Sequence, residues 1–395
     1  MSNGMTPLGS VVVPKGLQTG PFGSQLKAEE YTDNGVPVVM PKDISGGKIL
    51  LDGAARVPEE KAKKLAKHRL MSGDILFPRR GDLGRIAVVT QESAGCICGS
   101  GCLRARLKDE VDTGYIHQYV QMPFVNLWLE RHALGQTMLN LNTEILADLP
   151  IFIIPKNEQV VIAKLLSIWD AAIEKAERLI SVKETLFTAV IQNTIGNRSG
   201  AWEQLQTQEI FKPVSEKRNG SVELLSVTQD RGVIPRAMLE GRVMSPEGST
   251  DGYKLIKRGD FAISLRSFQG GIEYSDYQGL ISPAYTVLRP KRKIDTDFFK
   301  HFFKSYLFIE KYLSISVIGI RDGKQISVPD FMTVKIPVPP LAEQKRIAAI
   351  LSTARQEIDL LGKQADAYRR QKRGLMQKLL SGQWKVKISE EVVNE

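Results

Sequence analysis

The chain has 395 residues, 42% hydrophobic and 25% charged, and its 54 Lys and Arg against 44 Asp and Glu leave a formal charge of +10 at pH 7. This composition excludes a wholly disordered chain and the length predicts two or three domains, while the basic balance points to a polyanionic partner. No apolar run approaches the roughly 20 residues of a membrane span. The N-terminal residues also lack the basic, apolar and cleavage-site order of a signal peptide, so a cytoplasmic protein without membrane association is expected.

Residues 5 to 150 hold short apolar runs bounded by Gly and Pro, among them Val36 to Met40, Asp74 to Phe77 and Ile86 to Val89, which predict short strands. The three cysteines, Cys96, Cys98 and Cys102, crowd into this half. They lack the paired CxxC spacing of a structural zinc site, so they read as buried strand residues and no metal site is expected. Tyr115 to Leu134 is long and apolar enough for one helix, and the half is therefore mixed α/β. Residues 202 to 338 repeat the plan: Gly73-Asp74 through Arg80 parallels Gly259-Asp260 through Arg266, followed by Gly84 and Ile86 against Gly270 and Ile272. A helix over Asp297 to Tyr312 matches the place of the earlier one.

Each half ends in a Pro-punctuated strand, Leu149 to Pro155 and Val334 to Pro340, leading into a long amphipathic helix. Proline is well placed at a helix mouth, where its missing N–H is not needed. The two helices are copies of one another at a shift of 340 − 155 = 185 positions: Glu158, Gln159, Ile162, Ala163, Leu166 and Ser167 match Glu343, Gln344, Ile347, Ala348, Leu351 and Ser352. Beyond them, Ser199, Gly200 and Trp202 match Ser381, Gly382 and Trp384 at 381 − 199 = 182, so the first copy carries three extra residues. Heptad steps run through Ile162, Leu166, Trp169, Ile173, Ala176, Ile180, Lys183, Phe187 and Val190. They run likewise through Ile347, Leu351, Ala354, Ile358, Leu361, Ala365, Tyr368, Lys372 and Leu375. One lysine interrupts each seam. A helix of about 40 residues spans roughly 60 Å, and so narrow a seam predicts that the two copies form an intramolecular antiparallel coiled coil. The expected order is therefore a globular region over 1–154, a helix over 155–198, a second globular region over 199–339, a helix over 340–383 and a tail over 384–395. The tail is expected to complete the first half.

No catalytic constellation stands out. There is no Walker A loop, zinc-protease helix motif or nucleophile elbow, and His68, His117, His132 and His301 are scattered. Ser282-Pro283-Ala284-Tyr285 lacks the Asn or Asp of an amino-methyltransferase signature, and Pro329-Asp330 lacks the following carboxylate and lysine of a nuclease. Glycine-marked loops instead gather side chains able to fork onto base edges or phosphates. The first half carries Lys15, Gln18, Gln25, Lys42, Arg79, Arg80 and Arg85. The second carries Lys217, Arg218, Asn219, Gln229, Arg231, Arg236, Arg266, Ser267, Gln269, Arg321, Lys324 and Gln325. Arg80 and Arg266 occupy equivalent places, and a residue shared by two modules that read different sequences suits phosphate or structure. Gln18, Gln25 and Arg79, with Gln229, Arg231, Gln269 and Gln325, are the better candidates for base edges. The run Arg369, Arg370, Lys372 and Arg373 on the second helix suits spacer phosphates, an acidic partner or plain solvation.

Two α/β halves, each followed by a helix opening with Pro-x-x-Glu-Gln-x-x-Ile-Ala and closing with Ser-Gly-x-Trp, resemble the specificity subunit of type I restriction-modification enzymes over nearly the whole chain. The resemblance implies that each half is a target-recognition domain reading one half of a bipartite, asymmetric site in double-stranded DNA, with the paired helices fixing the spacer. It also implies no catalysis by this chain. Two modification subunits holding S-adenosylmethionine, and restriction subunits using ATP and Mg, are the implied partners, docking on the polar helix faces. A coiled-coil adaptor with weak, non-specific nucleic-acid binding is the alternative.

Overall fold

The computed structural model describes residues 5–135, 139–217, 222–239, 252–264, 270–318 and 325–386. Two compact units result, Met1–Lys175 with Ala365–Glu395, and Ala176–Gln364. In the first unit a four-stranded antiparallel sheet runs in the order Gln18–Thr19, Cys102–Ala105, Ile75–Pro78, Ala87–Val88. Its alternation is clean: Ile75, Phe77, Leu103 and Ala105 enter one apolar cluster, while Leu76, Ala87 and Cys102 enter another on the opposite face. Burial on both faces explains why these strands read as continuous apolar runs. All three cysteines are buried and unbridged, and burial pushes the Cys98 thiol up to about 12.

The helix expected over Tyr115 to Leu134 is two. Helix α1, Thr113–Val120, is capped by Asp112, whose Oδ1 accepts from the Tyr115 N–H at 2.8 Å; a second helix starts afresh at Pro123 and ends at His132. Pro123 has no N–H to give and forces Met122 into the extended region, so one helix cannot pass through it. Met5–Pro7 pairs with Pro150–Phe152, and the chain enters α2, Lys156–Ile191, of 36 residues.

The second unit repeats the sheet in the same order: Phe211–Val214, Tyr285–Pro290, Phe261–Ser264, Glu273–Tyr274. Glu203–Gln206 pairs with Lys335–Val338. Helix α3, Thr296–Lys304, is capped by Asp295 through the Phe298 N–H at 2.9 Å, and buries Phe298, Phe299, Phe302 and Phe303 against Phe211 and Phe261. Here too the expected helix, Asp297 to Tyr312, is interrupted. Ser305 leaves the helix and its Oγ accepts from the Phe308 N–H at 3.1 Å, capping a new turn at Tyr306–Phe308 that opens into a π segment at Ile309–Leu313. Helix α4 is Leu341–Leu379.

The matched Gln159 and Gln344 do the same work in their own units. Gln159 accepts from the Asp112 N–H at 2.8 Å and donates to the Ile154 carbonyl at 2.6 Å; Gln344 accepts from the Asp295 N–H at 2.8 Å and donates to the Pro339 carbonyl at 2.8 Å. Each buried carboxamide thus ties strand end, helix cap and long helix together. Glu343 accepts from the Trp202 indole at 3.2 Å, which links the opening of one helix motif to the closing of the other, whereas Trp384 stands 54% exposed. Between the helix motif and Ser199, the stretch that is three residues longer in the first copy, α2 opens into a π segment, Gln192–Gly196.

Seam residues are not equivalent. Ile162, Leu166 and Leu375 pack into the core of the first unit, and Ile180, Phe187, Ile347, Leu351 and Ile358 into that of the second. Trp169, Ile173, Leu361 and Tyr368 are half-buried, the Trp169 and Tyr368 rings meeting edge-on at 5.8 Å. Both seam lysines are ion-paired across the helices, Lys183 to Glu357 at 2.7 Å and Lys372 to Asp170 at 2.5 Å. Lys372 is buried, so it leaves the basic run on α4, and Arg369 pairs with Asp366 at 2.6 Å. Asp170 also accepts from Gln118 Nε2 at 2.7 Å. Lys372→Met, which removes the buried charge but keeps the stem, is expected to leave stability within about 1 kcal/mol of wild type or to raise it. Asp170→Ala strands both donors and is expected to cost about 1–3 kcal/mol. Urea midpoints of the two variants decide this, and equal losses would refute it. At the end of α4, Leu379 and the following Leu380 lie in the core of the first unit, Gly382 lies against the Phe152 ring, and Val386 packs on the same core.

Candidate nucleic-acid interface

In the first unit one group of loops is drawn together at the end of the Ile75–Pro78 strand. The Gly20 N–H donates to the Cys102 carbonyl at 3.1 Å, Gly99 to Val39 at 2.9 Å, Arg79 to Gly101 at 2.7 Å, and Leu141 to Arg79 at 2.9 Å. Gly20 and Gly99 are required by crowding: a Cβ on Gly20 would lie 2.0 Å from the Gly99 carbonyl oxygen, and one on Gly99 would lie 2.5 Å from the Met40 sulfur. These loops carry Gln25 in the turn Gly23–Gln25, Lys42 in the turn Pro41–Asp43, and Arg79, Arg80 and Arg85 after the strand. Gln25, Lys42, Arg80 and Arg85 are exposed and Arg79 is half-buried.

Not all of the candidates are equally available. The Arg85 guanidinium pairs with Asp82 at 3.3 Å. Gln18 accepts through Oε1 from Arg104 at 3.0 Å, and Arg104, 5% exposed, also holds the carbonyls of Lys15 and Lys67. Lys15 itself is exposed at φ 60°. Two neighbours missed by sequence reasoning define Arg79: its guanidinium carbon lies 5.4 Å from the centre of the Phe22 ring, and its Nε donates to Asn140 Oδ1 at 3.2 Å. Phe22 is 53% exposed, an aromatic ring beside Arg79 that composition alone does not single out.

In the second unit Gln229 and Arg231 are exposed at the turn of the hairpin Leu225–Thr228 and Gly232–Pro235, and Lys217 is exposed after Phe211–Val214. Arg231 pairs with Asp230 at 3.6 Å and donates to the Met238 carbonyl at 3.1 Å. Arg236 lies over the Tyr253 ring at 6.0 Å. Lys304, unpredicted, clamps the turn by donating to the Gln229 carbonyl at 2.8 Å and to Glu273 at 2.6 Å. Arg218, Asn219, Arg266, Ser267, Gln269, Arg321 and Lys324 lie outside the described residues, and Gln325 is described only by its backbone.

Two stretches, residues 22–184 and 214–367, match the family model described as type I restriction modification DNA specificity domain. The chain belongs to this family. It is a non-catalytic specificity subunit, and its part is DNA sequence recognition. It is 25% identical over 398 residues to the putative type I restriction enzyme MjaX specificity subunit of Methanocaldococcus jannaschii, covering 92% of this chain and 90% of that one. It is 26% identical over 304 residues to the type I restriction enzyme MjaVIII specificity subunit of the same organism, covering 69% and 71%. The fold is shared with the crystal structure of the type I restriction-modification S subunit from M. genitalium, at a TM-score of 0.59, 18% identity and 98% coverage of both chains. Among the described residues no helix is long and apolar enough to cross a membrane.

Proposed function

We propose that each unit of this specificity subunit reads one half of a bipartite, asymmetric DNA site, and that α2 and α4, paired as an antiparallel coiled coil, set the spacer and dock two modification subunits. The carrying observation is that the two sheets share one strand order while their loops present different amide and cationic side chains. Common scaffold with divergent readers is the arrangement that recognises two unlike half-sites. A rigid spacer lets the two half-site energies combine only at the right separation, which gives two modest readers joint specificity.

Docking is supported by the outer faces of the helices. They were expected to be polar, yet α2 exposes Leu165, Ile168, Leu179, Val182 and Leu186 and α4 exposes Ile350 and Leu360. Apolar surface of this kind on a helix is suited to a protein partner. Methyl transfer, with its S-adenosylmethionine, is then the partners' chemistry.

The test is methylome sequencing of a host expressing this chain with its modification subunit, against a host lacking the chain. Methylated adenines in a two-part motif with a fixed gap are expected. Unchanged methylation despite a verified complex would overturn the reading and leave an adaptor.

A further inference from the structure

Arg79 differs from every other candidate in the first unit by being held and yet unneutralised. Its backbone is pinned on both sides, by the Gly101 carbonyl at 2.7 Å and the Leu141 N–H at 2.9 Å, at the end of a fully buried strand. Its side chain is clamped by the Phe22 ring at 5.4 Å and by Asn140 at 3.2 Å. The clamp uses Nε, and among the described residues neither terminal amino group has a hydrogen-bond partner and no carboxylate lies within ion-pair distance. Arg85 and Arg231, by contrast, are paired with Asp82 and Asp230.

We propose that Arg79 reads a guanine in the half-site of the first unit, with Phe22 and Asn140 as the positioning residues that hold its guanidinium for that contact. This rests on the reading of the chain as two half-site readers. Two coplanar N–H donors fit O6 and N7 of guanine in the major groove, and no other base edge offers two acceptors in that arrangement. A phosphate would be served as well by a mobile lysine; an aromatic ring and a side-chain amide that fix the plane of the fork are useful for a base edge, where orientation decides recognition. The internal repeat supports the assignment. The shift of 266 − 80 = 186 that aligns Arg80 with Arg266 aligns Arg79 with Leu265, so the shared fold does not require an arginine there.

The experiment uses the full chain with its modification subunits and reads the methylated motif in Arg79→Lys and Phe22→Ala. One guanine position in one half-site is expected to become degenerate, with discrimination falling about 10- to 100-fold in Arg79→Lys and less, at the same position, in Phe22→Ala. The other half-site should be unchanged and serves as the internal control. An intact motif in both variants would overturn the proposal. So would a uniform loss of DNA affinity with a shallower salt dependence, which marks a phosphate contact. Because Phe22 is exposed, Phe22→Ala decides the matter alone if Arg79→Lys fails to fold. If the wild-type chain directs no two-part motif, the half-site reading itself fails; a wild-type motif that both variants preserve refutes only the assignment of Arg79.

Discussion

Asp260→Ala is expected to destabilise the unit Ala176–Gln364 by about 3–5 kcal/mol, enough to remove a large part of an ordinary domain's stability. Asp260 is 2% exposed. Its carboxylate accepts from the Lys257 N–H at 2.9 Å and receives Arg289 through Nε at 2.9 Å and Nη2 at 2.8 Å. Alanine removes the acceptor of a part-buried backbone N–H and the bidentate partner of a guanidinium that is only 17% exposed. Arg289 keeps Glu216 at 2.5 Å, which holds the cost below that of a fully orphaned charge. Asp260→Asn, which keeps an acceptor for Lys257, should lose about half as much. Chemical denaturation measures both, and an Asp260→Ala loss under about 1 kcal/mol would show that the pair is dispensable. In the other unit Asp74 makes the same contacts, accepting from the Met71 N–H at 2.8 Å and from Arg106 twice at 2.7 Å.

That pair shows what was legible in the chain. Gly73-Asp74 and Gly259-Asp260 stand out as a repeat in the sequence alone, and the glycines sit at φ +88° and +90° in the turns that the aspartates close. Gln159 and Gln344 are equally visible, because a buried carboxamide that must both donate and accept leaves little freedom of residue type. The broken helices were less visible. Apolar periodicity continues across Pro123 and Ser305, and only local backbone chemistry stops it. Lys372 carried two conflicting signals, a heptad step and a place in a basic run, and the seam prevailed because the stem could be buried once Asp170 met the ammonium. The clamp on Arg79 was beyond reach: Phe22, Arg79 and Asn140 are far apart in sequence and meet only after the loops close. Comparing the two halves nevertheless separated Arg79 from the shared Arg80, since a residue that differs between equivalent positions is free to carry specificity.

His301 is expected to make the second unit lose stability as the pH falls below about 6.5. The ring is 8% exposed, 3.0 Å from the Ser352 hydroxyl on α4 and edge-on to Phe187 at 6.0 Å. Burial, reinforced by the positive charges of Lys300 and Arg355, pushes it down to about 4. The unfolded chain takes up this proton near pH 6.5 and the folded one only near 4, so the neutral ring's contribution is complete above 6.5. Between those values the unfolded state binds more protons and stability falls, by roughly 3 kcal/mol across the window. Hydrogen bonds from Arg289 and Lys257 hold the Glu216 carboxyl below its ordinary 4.5; its share of stability is therefore lost only at lower pH. His301→Gln, whose amide still reaches Ser352, should flatten the pH dependence of amide exchange in α3 between pH 6.5 and 4.5. His68 and His117, also held down by burial, belong to the other unit and are unchanged in the variant, so a slope equal to wild type in α3 would mean that His301 is already protonated, or solvated, in the folded state.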